Sequence, residues 1–177
     1  MMGEALRRHW PEYLMEAAGL GLFMVSACMF ATLFEHPASP VPQVIDDPLA
    51  RRLFIGMAMG LTAVGIIYSP WGQQSGAHLN PAVTLTFFRL GKLKPWGALF
   101  YVTAQFAGGV AGVWLAATVL GQVIAHPSVN YVATTPGMTG VGIAFLAERR
   151  RPMRTITLQD FIIFVCCVGV ILYLWVQ

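Results

Sequence analysis

The chain reads as an all-α membrane protein: three transmembrane helices, with one short re-entrant helix between the second and the third. Three observations point there. Hydrophobic residues fill 56% of the 177 positions and charged residues only 11%, whereas soluble domains carry about 25% charged residues. Apolar runs recur at roughly the 20-residue length that crosses a bilayer. Between two of them stands Asn80-Pro81-Ala82, a helix-start signal. Inside a bilayer, broken backbone is tolerated only where it is buried in protein or lines a water-filled cavity.

Composition also narrows the function. Mean hydropathy is +0.64. The formal net charge of +3 belongs to a membrane chain, where basic residues report topology. The expected partner is therefore the lipid bilayer, and no nucleic acid is expected. Cys28, Cys166 and Cys167 lie in apolar runs, without metal-ligand spacing. They read as small buried hydrophobes, and no metal or cofactor is expected.

The first spanning helix is Tyr13–Phe34. It follows Arg7 and Arg8 and exceeds the apolar core of a signal peptide, about 7–15 residues. An uncleaved signal anchor is the alternative. A loop from Glu35 to Arg52 holds four prolines. The second helix runs from about Leu53 to Tyr68, with Gly56, Gly60 and Gly65 marking a close-packing face. Ser69-Pro70-Trp71-Gly72 ends it, and Gln73 to Leu79 has loop composition. Pro81 then opens a short apolar segment that stops at Gly91. Ten helical residues span about 15 Å, near half the hydrocarbon thickness.

The third helix is Pro95 to about Leu120, with Gly108, Gly109 and Gly112 on a packing face, and an uncharged loop follows to Pro136. Arg7 and Arg8 should share an aqueous side with Arg89, Lys92 and Lys94. Counting basic residues puts the N-terminus in the cytoplasm; Arg51 and Arg52, on the other side, weigh against this. Trp10, Trp71, Trp96 and Trp175 fall near the expected interfaces. Gly137 to Glu148 is apolar but too short to span, and Arg149-Arg150-Arg151 interrupts it. An arginine at a helix centre costs about 2.5–3.5 kcal/mol, so a fourth helix is cut short there. Phe161 to Val176 is a separate apolar run.

Ser75-Gly-Ala-His-Leu-Asn-Pro-Ala-Val-Thr84 resembles the first signature of the aquaporin and glycerol-facilitator family, the major intrinsic proteins. Tyr13-Leu-Met-Glu16 with Gly19, and Tyr101-x-x-x-Gln105-x-x-x-Gly109, resemble its first and third helices. The likeness covers about residues 12 to 148. It implies an aquaporin-like first repeat and the start of a second over 1–148, with a divergent stretch over 149–177. It also implies a multi-pass protein of the plasma (inner) membrane, a homotetramer, and a passive channel for water or a small neutral solute such as glycerol. That family pairs two Asn-Pro-Ala half-helices from inverted repeats; this sequence contains one. Phe145-Leu-Ala-Glu148 resembles the start of the second half, and the likeness ends at Arg149. A truncated or frameshifted, channel-inactive family member is the alternative.

The motif suits a pore on physical grounds. Asn80 caps the half-helix and Pro81 takes the first position, where no N–H is needed. The Asn80 amide offers N–H donors and no titratable proton. Together with the positive helix end it turns a passing water's oxygen inward and interrupts a proton wire. Ala82 leaves room. By resemblance, the carbonyls of unwound Gly76, Ala77 and His78 line the channel. Glu16, an intramembrane carboxylate, and Glu148 are implied as braces of re-entrant backbone. The loop partner of Glu16 is expected from the other half. Gln105 reads as packing and interhelical hydrogen bonding. An enzyme built on His78 with Glu16 or Ser75 lacks a nucleophile, base and oxyanion set at useful spacing, and no catalytic residue is assigned.

Overall fold

The computed structural model describes residues 2–132. Glu148, Cys166, Cys167, Trp175 and the runs 137–148 and 161–176 lie outside the described residues. Among those described, the elements in order are α1 (Met2–Glu35), α2 (Val41–Val44), α3 (Pro48–Tyr68), α4 (Pro70–Ser75), α5 (Pro81–Arg89) and α6 (Pro95–Leu120). Two 3-10 stretches follow, Gly121–Ala125 and Asn130–Val132. Among the described residues three helices are long and apolar enough to cross a membrane: α1, α3 and α6 with its 3-10 extension to Ala125.

Caps set several boundaries that hydropathy misplaces. α3 begins at Pro48, five residues before the expected Leu53, because Asp47 accepts hydrogen bonds from the amides of Leu49 at 3.0 Å and Ala50 at 3.3 Å. Arg51 and Arg52 therefore lie inside the helix. α1 begins at Met2 instead of Tyr13, with a non-helical break at His9 (φ −125°, ψ 17°) just ahead of Pro11. Proline there has no N–H for the turn before it. The Ser69-Pro70 step ends α3 and also starts α4. Ser69 Oγ accepts from the Gly72 amide at 3.0 Å, so Gln73–Ser75 are helical and not the expected loop. α5 keeps nine residues, about 13 Å long.

α1 and α6 form the centre, and they run parallel. Tyr13 meets Phe100 and Tyr101, with ring centroids 5.4 and 5.2 Å away. Further along, Gly108 lies against Ala17 and Gly112 against Gly21, so closely that a Cβ on either glycine would enter the backbone of α1. Further still, Cys28 and Ala31 pack with Ala116, Ile124 and Val129. Small residues four apart allow such an approach. α3 returns antiparallel on α1: Phe34 stacks on Phe54 at 6.1 Å, and Ser26 bonds Thr62 at 2.9 Å. The glycines of α3 correct the expectation. A Cβ on Gly56, Gly60 or Gly65 would have no neighbour within 4 Å among the described residues. Glycine spacing marks a small-residue face, but α1 packs on a different side of α3.

This topology puts Arg7 and Arg8 at the same end as Arg89, Lys92 and Lys94, all exposed. Arg51 lies at the other end, 3.3 Å from Glu35.

Candidate functional site

The loop from Gly76 to Asn80 joins α4 to α5, and its backbone is turned against its usual hand. Gly76 (φ 88°), Ala77 (φ 44°) and Leu79 (φ 48°) are left-handed. For non-glycine residues this costs on the order of 1–3 kcal/mol each and persists only when the surroundings over-determine it. Here they do. The His78 and Leu79 amides each donate to the Glu16 carboxylate at 2.8 Å, one to each oxygen. The Ala77 amide donates to Ser75 Oγ at 3.2 Å.

A trans peptide points its N–H and the preceding C=O in opposite directions. The amides of 77, 78 and 79 face the Glu16–Ser75 side, so the carbonyls of Gly76, Ala77 and His78 face away from it. The loop thus offers three acceptors on its outer side.

Glu16 is fully buried, as are Thr84 and Gln105. Besides the two amides it accepts from Ser75 Oγ at 2.9 Å and from Gln105 Nε2 at 2.9 Å. Each carboxyl oxygen is thus held by two neutral donors. Its loop partner is therefore the loop of its own half. The expectation that this partner comes from the other half is corrected. The physical reason is local: Gly19, one turn on, leaves room for the Leu79 side chain against α1, so the loop can reach Glu16 directly.

Tyr101 OH donates to the Ser75 carbonyl at 2.7 Å. Gln105 Nε2 also reaches Thr84 Oγ1 at 3.0 Å, and Thr84 Oγ1 lies 3.1 Å from His78 Nδ1. The His78 ring stacks on Phe87 at 4.7 Å. One polar cluster therefore ties α1, α4, α5 and α6 together behind the loop. Ser75 and Thr84 had no role assigned from sequence; their one signal was membership in the run from Ser75 to Thr84.

Asn80 is extended (φ −155°, ψ 128°), and its Oδ1 accepts from the Ala82 amide at 2.8 Å. Pro81 opens α5 as expected. The cap uses the side-chain oxygen and leaves the NH2 group, on an exposed residue, as a donor pair at the helix N-terminus. Donors at Asn80 and the run of carbonyls at 76–78 thus lie consecutively along one loop.

A family model described as major intrinsic protein matches residues 6–165. The chain belongs to the major intrinsic protein family. The match extends beyond the 12–148 that the motifs carry. Among curated relatives within this family, Aquaporin Z of Photorhabdus laumondii is 39% identical over 88 residues, covering 50% of this chain and 36% of the relative. Aquaporin-5 of Mus musculus is 38% identical over 95 residues, 50% of this chain and 34% of the relative. Probable aquaporin AqpM of Archaeoglobus fulgidus is 37% identical over 95 residues, 53% and 38% respectively. The matches thus span little more than a third of the length of these major intrinsic proteins. No solved structure matches the chain.

Proposed function

We propose that this chain supplies one arm of a passive transmembrane channel for water or a small neutral solute such as glycerol. One observation carries the reading. The loop turns its amides inward to Glu16 and its Gly76, Ala77 and His78 carbonyls outward, and it ends on the donor group of Asn80. A water file meets acceptors along the loop and then donors at Asn80, so each water is oriented and no unbroken proton wire forms. The positive end of α5 opposes cations at the same point. Pro81 and Ala82 keep the helix end compact beside the path.

In this reading Glu16 and Gln105 are supports, and no catalytic step is needed. Asn80 is exposed among the described residues, as a group that meets a solute path must be. The working unit is a homotetramer in the inner (plasma) membrane. The basic end with Arg7, Arg8, Arg89, Lys92 and Lys94 is cytoplasmic. The relatives named as aquaporins support the channel reading.

Osmotic shrinkage of vesicles carrying the purified chain tests it. Water flux above that of protein-free vesicles is the expected result. Flux at the lipid background would count against a channel and favour an inactive member of the family.

A further inference from the structure

The cluster behind the loop contains a chain of hydrogen bonds whose direction follows from proton accounting. Glu16 Oε2 faces the Leu79 amide at 2.8 Å and Gln105 at 2.9 Å. A carboxylate that already accepts backbone N–H groups needs a donor from Gln105, so the amide presents Nε2 to it. The same Nε2 lies 3.0 Å from Thr84 Oγ1. Both Gln105 hydrogens are then committed, and the Thr84 oxygen accepts one of them.

Thr84 has one hydrogen to place. Three acceptors are near: the Asn80 carbonyl at 3.4 Å, Gln105 Oε1 at 3.4 Å and His78 Nδ1 at 3.1 Å. Ordinary O–H···O bonds are about 2.5–3.0 Å long. Both oxygen alternatives are longer than the contact to the histidine nitrogen, which is the nearest acceptor open to this hydrogen. Thr84 is 0% exposed, so bulk water does not compete for it.

We propose that Thr84 sets the tautomer of His78, donating to Nδ1 and holding the ring proton on Nε2. The ring has little freedom to turn away. It stacks on Phe87 at 4.7 Å with an interplanar angle of 20°, and Tyr101 lies 4.9 Å from it on a second contact. Donation diverges from Gln105, inward to Glu16 and outward to Thr84, and Thr84 donates on to His78.

The consequence rests on the channel reading above. His78 sits in the loop whose carbonyls face the water path. With its Nδ1 lone pair spent on Thr84 and a hydrogen on Nε2, the imidazole has no basic nitrogen to take a proton from a passing water. Thr84 is thus a positioning residue. It acts through His78 and adds to proton exclusion from the side of the half-helix away from the path.

The test uses the full chain in lipid bilayers with nitrogen-15 histidine, read by solid-state NMR. His78, one of four histidines, is assigned by the loss of its signals in a His78→Asn variant. The expected wild-type state is a neutral ring with bare Nδ1 and protonated Nε2. Thr84→Ser should keep that signature, and Thr84→Val should shift His78 to the other tautomer or a mixture. A wild-type ring with its hydrogen on Nδ1 overturns the proposal without any variant having to fold. So does an unchanged signature in a folded Thr84→Val chain.

In vesicles, Thr84→Val should raise proton permeation severalfold relative to water flux, while Thr84→Ser leaves the ratio unchanged. An unchanged ratio despite a shifted tautomer would overturn the role in proton exclusion. Absence of wild-type water flux would sink the channel reading alone, since the tautomer is measured independently.

Discussion

Glu16 is a buried carboxylate held by four neutral donors: the His78 and Leu79 amides, Ser75 and Gln105. An amide in its place offers one acceptor oxygen and presents hydrogens toward the remaining donors. Glu16→Gln is therefore expected to destabilise the fold by about 2–4 kcal/mol, at about 1–3 kcal/mol per buried donor left without an acceptor. A lowered unfolding midpoint in detergent checks this; an unchanged midpoint would show that the carboxylate is not the brace. At this scale the sequence was informative about Asn80, Pro81 and Glu16, whose chemistry is local or unusual for a membrane. It was silent on pairings. Ser75 lies 59 residues from Glu16 and Gln105 lies 89 residues away, and no spacing rule connects side chains across such distances. For the same reason the partner loop of Glu16 was assigned to the wrong half.

Helices here are bounded by caps and joined by small residues. Pro95–Leu120 was legible at both ends, because Pro95 follows a basic turn and Gly121 ends the apolar run. α4 was not legible, because Ser69-Pro70 carries both a stop and a start. The glycines of α3 and α6 look alike in sequence yet differ in the structure, since only those of α6 face α1. That contrast gives a paired prediction. Gly112→Val drives a side chain into the Gly21 backbone and should cost about 1–3 kcal/mol, the usual range for overpacking. A Cβ at Gly60 has no neighbour within 4 Å beyond its own helix turn, so Gly60→Val should stay within about 0.5 kcal/mol, as open positions do. Unfolding midpoints of the two variants decide it; equal losses would contradict the assigned packing faces.

For the molecule as a whole, parallel α1 and α6 place five basic residues at one end of the membrane span. Exposed Trp10, Trp71 and Trp96 lie at that same end, as interfacial aromatics do. The cytoplasmic assignment predicts that an impermeant maleimide on intact cells labels Asp46→Cys and spares Lys92→Cys, each on a cysteine-free background. The reverse pattern would invert the orientation.

The measurement closest to the central claim compares water flux for the wild-type chain and Asn80→Leu at equal incorporated protein. The substitution removes the donor pair at the tip of α5 and a cap worth about 1 kcal/mol, and it leaves Glu16 and its four donors in place. Severalfold lower flux, with the unfolding midpoint lowered only by the few degrees that loss of one cap brings, is the predicted result. Equal flux in the two chains would contradict a pore that passes Asn80.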